Sequence, residues 1–145
     1  MKHLLLRRII LQDYHQLWLL RNDVSVRRWL RSMVSFSDFS REVETDYTLV
    51  GTVNNDVVGY ARLDEINPTT FAVFVCLHSV FRAQGFGKQL LNSTYLWATH
   101  NGIQKLVAGI DPRNDAGKAL AEACGFVGEG YAPSKGVMKA FYARS

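Results

Sequence analysis

The segment from Thr69 to Leu91 most constrains what this chain can fold into. It reads TTFAVFVCL, then HSVFRAQGFGK, then QLL and a long helical pattern. A continuous β-branched and aromatic run of this length predicts a strand from about Thr69 to Leu77, buried on both faces in mid-sheet. Past Gly87, residues Leu90, Leu91, Thr94, Tyr95 and Ala98 recur at helical spacing as far as Asn101-Gly102, a helix-ending signal. Between strand and helix lies Arg82-Ala83-Gln84-Gly85-Phe86-Gly87-Lys88, where glycines let backbone approach a ligand. The first turn of a helix carries unpaired N–H groups and about half a positive charge, so a glycine turn there suits phosphate or pyrophosphate.

Two familiar phosphate motifs do not fit this turn. A dinucleotide fingerprint needs a third glycine where Leu90 stands. A P-loop needs glycine at Arg82 and Ser or Thr at Gln89.

The rest of the chain forms one unit, since no repeat, low-complexity tract or linker interrupts it and its three prolines are scattered. Residues 3 to 10 read as a first strand. Asp13 with Gln16 resembles a capping box that opens a helix with Tyr14, Leu17 and Trp18 on one face. After Asn22-Asp23 a second helix is expected, with Val26, Trp29, Leu30 and Met33 inward, and 36 to 45 read as short helix or loop. The runs 47 to 53 and 57 to 63 flank Asn54-Asn55-Asp56 as a hairpin. Leu106 to Ile110 is a short strand, Asn114 to Cys124 a helix ended by Gly125, and strands near 126 to 131 and 137 to 143 close the order β-α-α-β-β-β-α-β-α-β-β.

Composition narrows the partners. At 145 residues with 48% hydrophobic and 21% charged residues, the chain builds a single core and is not disordered. Cys76 and Cys124 make no disulfide framework and no Cys/His pair has zinc spacing, so a reducing, cytoplasmic setting and no metal are expected. The apolar run Leu4 to Leu6 is too short for a signal peptide and Phe71 to Leu77 too short to span a membrane. Seventeen basic against thirteen acidic residues leave a net charge of +4, but no block of five like charges marks a nucleic-acid partner. A small anionic ligand suits the excess at least as well.

The pattern Q/R-x-x-G-x-G/A, here Arg82 to Gly87, together with NDAGKALAEACGF (Asn114 to Phe126) and the element order, resembles the GCN5-related N-acetyltransferase superfamily over nearly the whole chain. The resemblance implies an α/β (α+β) acyl-CoA N-acyltransferase fold whose mixed, mostly antiparallel sheet is flanked by helices and splays between the FAVFVCL and LVAGI strands. It implies acetyl-CoA as co-substrate, with the amides of Ala83, Gln84, Gly85, Phe86, Gly87 and Lys88 receiving pyrophosphate. Main-chain groups of Val75, Cys76 and Leu77 would pair with pantetheine, and the Leu77 amide would polarise the thioester carbonyl. Asn114 matches the family's CoA-contacting asparagine and serves equally as an N-cap. Arg82 and Lys88 are either phosphate contacts or solvated charges, His78 is more in keeping with surface than catalyst, and Cys76 with a strand-core thiol.

The family's proton-handling glutamate and tyrosine fall on Gly109 and Ala121, neither of which carries a proton. An amine arriving as ammonium must lose a proton before attack, so the absent base is the larger gap. Asp111, Asp64 and Glu65 are the candidates to replace it, and Tyr131, Tyr142, Tyr95 and Cys124 those for an acid. Proximity and the oxyanion contact alone are a further route. LWLLRNDVSVRRWL (Leu17 to Leu30) resembles a stretch of ribosomal-protein alanine and pseudaminic-acid-type amino-sugar acetyltransferases, which implies an acceptor site beside the first two helices. Arg21, Arg27, Arg28 and Arg31 there would meet an anionic group of the acceptor or form a solvated face. The expected activity is acetyl transfer to a primary amine of a small molecule or peptide by direct attack in a ternary complex, with no nucleic acid or membrane partner. A homodimer is compatible with it. The alternatives are a non-catalytic acyl-CoA-binding module of the same fold and a nucleic-acid binder.

Overall fold

A computed structural model describes residues 2–30 and 33–145. Its framework is a seven-stranded sheet ordered β1-β2-β3-β4-β5-β7-β6, with β1 Leu5–Arg8, β2 Thr48–Val53, β3 Asp56–Asn67, β4 Thr70–Leu77, β5 Lys105–Ile110, β6 Val127–Ser134 and β7 Val137–Arg144. Every pairing is antiparallel except β4 with β5. The helices are α1 Tyr14–Arg21, α2 Val24–Arg27, α3 Phe36–Val43, α4 Phe86–His100 and α5 Asp115–Ala123. Among them no helix of the described residues is long and apolar enough to cross a membrane.

Local chemistry accounts for most of these boundaries. Asn54 and Asn55 take φ values of 52° and 69°, the two left-handed residues of a tight turn whose twist matches its strands, and Val53 pairs Asp56 directly. Asn67 Oδ1 accepts from the Thr69 and Thr70 amides and so turns β3 back into β4. On one sheet face Val50, Tyr60 and Cys76 form a buried cluster with Leu17 and Leu20 of α1, Val26 of α2 and Phe39 and Val43 of α3. Two further clusters, built on Leu90 and Phe86 and on Leu91, Leu106 and Phe126, pack beneath α4 and α5.

Two expectations are corrected on the first face. Asp13 is the third residue of its helical segment rather than the cap: a 3-10 turn, Leu11–Asp13, precedes α1, and Asp13 reaches back to accept from the Ile10 amide at 2.9 Å. Its two oxygens also take both terminal nitrogens of Arg7, at 2.7 and 2.8 Å. The second helix stops at Arg27, and Met33 is exposed. Instead Asn22 brackets Val34, with Nδ2 donating to its carbonyl and Oδ1 accepting from its amide, both at 2.8 Å, and Trp18 Nε1 donates to the same carbonyl. These contacts hold Val34 against α1, and α3 follows from Phe36 to Val43. Arg31 lies outside the described residues.

Burial alone would raise the Asp13 pKa, but the Arg7 hydrogen bonds, the Ile10 amide and the Arg7 charge outweigh it and hold the carboxyl below its usual range. A depressed acid contributes stability above its unfolded value and loses it as pH falls through the folded one. Asp13→Ala is expected to cost about 2 kcal/mol at pH 7. In urea unfolding the gap from the parent narrows below about pH 4 and closes at lower pH; a gap that does not change with pH would contradict the pairing.

Candidate active site

β4 and β5 run side by side over only three pairs, Thr70 with Lys105, Phe71 with Leu106 and Ala72 with Val107, and then separate. The split produces the cleft, about 500 Å³, within the range of ligand sites. It also explains why the FAVFVCL run is not buried on both faces as expected: Val73, Phe74 and Val75 are half-exposed because they line the gap.

Strand alternation decides which backbone groups face that gap. The His78 amide donates to Val58 on the β3 side at 2.7 Å, and Lys105 N–H donates to Thr69 on the β5 side at 3.0 Å. Along β4, even-numbered residues therefore turn their N–H and C=O toward β3, and Val75 and Leu77 turn theirs into the gap. Val75 and Leu77 both line the cleft. Cys76 differs from the expectation: its main chain belongs to the β3 ladder, although the residue also lines the cleft.

The gap ends at the glycine turn. Ala83 and Gly85 both adopt left-handed backbone, φ 60° and 83°, strain that alanine rarely bears. Gly85 is the N-cap of α4 and has no side chain to cap it, so the amides of Phe86, Gly87 and Lys88 lack intrahelical acceptors. A Cβ on Gly85 would meet nothing within 4 Å and one on Gly87 only the Leu120 and Leu77 side chains at 3.7 to 3.8 Å. Arg82, Ala83, Gly85, Gly87 and Lys88 all line the cleft. Arg82 also donates to the Leu77 carbonyl at 3.1 Å, which ties the turn to the strand end. The Gln84 side chain turns away to the Val80 carbonyl and the Phe86 ring is buried, so neither residue offers the cleft more than its amide. Asn114 caps α5 by accepting from the Gly117 amide at 2.9 Å and lines the cleft as well.

The candidate bases and acids fare differently. Asp111 lines the cleft, but Arg113 occupies it: Oδ1 accepts from the Arg113 amide and Nε at 2.9 and 3.1 Å, and Oδ2 from a terminal guanidinium nitrogen at 3.0 Å. Those bonds, with Lys139 adding its charge, lower its pKa to about 2. An acid that weak in its conjugate base is an electrostatic fixture rather than a proton acceptor near neutral pH. Glu65 pairs Phe71 at the closed end of the split and is exposed, and Asp64 is bonded to Arg62, so neither lines the cleft. Tyr131 sits 67% exposed on the edge strand β6, away from it. Tyr142 donates to Glu122, Tyr95 lies beneath the Arg144 guanidinium, and the buried Cys124 thiol donates to the Lys88 carbonyl. His78 caps the 3-10 turn Ser79–Phe81 through Nδ1.

Ser25, Val26, Trp29 and Leu30, within the stretch singled out in the sequence, form the wall on the α2 side. Sequence reasoning missed two contributors: Lys139 reaches in from β7, and Phe141 stands across from Gly109. A second hollow of about 520 Å³ beside Arg21, Met33 and Glu42 is open, and its acids Asp38 and Glu42 are paired with Arg41 and Arg62. The described residues contain no cluster of three His, Cys, Asp or Glu able to hold a metal.

A split sheet whose exposed strand backbone leads to a glycine-lined helix start defines a class of α/β proteins built to hold an extended, phosphate-bearing ligand. The acetyltransferase (GNAT) family model matches residues 6–126, and the chain belongs to that family. The fold agrees with solved structures. A GNAT-family acetyltransferase from Bacillus anthracis is 16% identical at a TM-score of 0.84, covering 99% of this chain and 98% of its own. The yncA structure from Salmonella typhimurium with its cofactor acetyl-CoA is 21% identical at 0.81, covering 99% and 94%. Ribosomal-protein-alanine N-acetyltransferase from Brucella melitensis is 24% identical at 0.82, covering 97% and 98%. Among curated proteins no sequence match is found.

Arg113→Ala should release Asp111 part of the way from about 2 toward the ordinary carboxylate value. A carbon-13 NMR titration of the Asp111 carboxyl reads this directly, and an unchanged midpoint would remove Arg113 as the cause.

Proposed function

We propose that this protein is an acetyl-CoA-dependent N-acetyltransferase that moves an acetyl group to a primary amine of a small molecule or peptide by direct attack in a ternary complex. The β4–β5 split, ending at the turn from Arg82 to Lys88, carries this proposal. The amides of Ala83 to Lys88 would receive the pyrophosphate, with the charges of Arg82 and Lys88 beside them. Val75 and Leu77 would pair with the pantetheine arm as a strand would, and Asn114 would offer its Nδ2. When bound, acetyl-CoA supplies an activated acetyl group on a sulfur that leaves readily. This chain's part is to orient it, and the Leu77 N–H is the donor placed to stabilise negative charge on the carbonyl oxygen.

The acceptor side is the wall of Trp29, Leu30 and Phe74, flanked by Arg27 and Arg28, the latter stacked over Trp29 at 4.7 Å. A solved relative by fold, AAC(6')-Ib, has been seen in complex with ribostamycin and coenzyme A, which is consistent with a small-molecule amine as acceptor here. A reading as a non-catalytic acyl-CoA-binding module draws on Gly109 and Ala121, and it predicts binding without turnover.

Mixing the protein with acetyl-CoA and a panel of amino sugars, peptides, polyamines and amino acids should release free thiol above background, with an acetylated product. Binding without product across the panel would favour the module. Gly87→Glu places a carboxylate in the turn at a position without a left-handed φ, where a Cβ makes only ordinary van der Waals contact with the Leu120 and Leu77 side chains. It should weaken acetyl-CoA binding at least tenfold by calorimetry while leaving the melting temperature near the parent's, and unchanged binding would overturn the assignment of the turn.

A further inference from the structure

On the acetyltransferase reading above, we infer that the acceptor is a weakly basic primary amine, one that carries its own neutral fraction near pH 7 such as a peptide α-amino group, and that strongly basic alkylamines are poor substrates. Among the described residues, the carboxylate that lines the cleft is paired through both oxygens, and no lining side chain is free to take a proton.

Each element facing the cleft makes the same contribution. Beyond β5, Asp111 is the one carboxylate in the lining, and Arg113 engages both of its oxygens. On β7, Lys139 stands opposite Asp111 where the register that pairs Ile110 with Ala140 continues, and adds a second cation. At the turn, Arg82 and Lys88 are cations. At the start of α2, Asp23 spends Oδ1 on the Ser25 amide and hydroxyl at 2.9 and 2.5 Å, bonds that lower its pKa, and the charged groups acting on it are Arg82 and His78. On β4, the Cys76 thiol is buried and pushed up to about 12, so it stays protonated. Its neighbour on β3, the Tyr60 phenol, is also raised by burial. The space before Gly109 is filled as well: a Cβ there would lie 3.1 Å from the Phe141 ring. His78, on the turn outside the cleft wall, holds Nδ1 against the Val80 amide at 3.3 Å and is the group left to test.

The reaction then needs an amine that is already neutral. Its nitrogen lone pair attacks the thioester carbonyl carbon and the C=O pair moves onto oxygen, next to the Leu77 N–H. Collapse re-forms C=O and breaks the C–S bond, whose pair leaves on sulfur, and the nitrogen proton passes to that thiolate directly or through water. Acetyl-CoA and amine give amide and free thiol with no base consumed. At pH 7.4 an α-amino group is about three-tenths neutral and a lysine side chain about one part in a thousand, a ratio of about 300 in reactive species.

The test is kcat/KM against pH for four amines at saturating acetyl-CoA: a lysine-free peptide, glycinamide, Nα-acetyl-lysine and spermidine. The acid limb should rise with unit slope and move from amine to amine with the amine's own pKa, and at pH 7.4 the first pair should exceed the second by tenfold or more. His78→Asn, which keeps a cap acceptor, and Asp111→Asn should leave the position of each limb unchanged. An acid limb shared by all four amines, or lost in either variant, would assign a base in the enzyme and overturn the inference while leaving acetyl transfer intact. Preference for spermidine or acetyl-lysine would do the same, and no thiol release with any amine would overturn both.

Discussion

The site depends on two parallel strands that stay together for three residues and then part. β4 is committed to β3 along its whole length, while β5 is drawn away by antiparallel pairing with β7 from Leu106 to Ile110. Parallel neighbours pair slightly less stably per residue than antiparallel ones, so the β4–β5 seam is the natural place for the sheet to open. Opening it leaves the N–H and C=O of Val75 and the N–H of Leu77 in a gap walled by apolar side chains, while the Leu77 carbonyl is taken by Arg82. Such groups are costly to bury without partners, and an extended ligand with amide groups of its own meets that requirement.

The same break sets the polarity of the cleft. One end finishes at the left-handed Ala83 and Gly85 and the free amides of α4, the positive end of a fifteen-residue helix. The other face is bounded by Trp29, Leu30 and Phe74, held by the bracket of Asn22 around Val34 and the Arg7–Asp13 pair below it. The net charge of +4 seen in the sequence is therefore not a diffuse property. Arg82 and Lys88 stand at the turn, Lys139 and Arg113 surround Asp111, and Arg28 stacks over Trp29.

Local features were legible where a residue's own chemistry fixes backbone. Asn54-Asn55 announced a hairpin turn, Asn67-Pro68 a reversal, Asn101-Gly102 a helix end, and Gly85 the turn that opens α4, because each needs only its neighbours to act. What needed long-range partners was not. Asp13 looked like a cap because its salt bridge to Arg7 on β1 has no sequence signature. Trp29, Leu30 and Met33 kept helical spacing, yet Asn22 holds Val34 and the helix stops at Arg27. FAVFVCL read as fully buried because an apolar strand beside a partner and one beside a gap have the same composition. Asp111 was legible as a cleft residue but not as one neutralised by Arg113, and Lys139 could be placed only by the register of β7 on β5.

The most direct measurement of the central claim is amide hydrogen exchange, residue by residue, with and without acetyl-CoA. The account predicts that the Val75 and Leu77 amides, open to the gap, become protected when the ligand binds, together with Gly87 and Lys88 at the turn. The Cys76 amide, already in the β3 ladder, should change little. Protection confined to other parts of the sheet, or equal at Val75, Cys76 and Leu77, would contradict it.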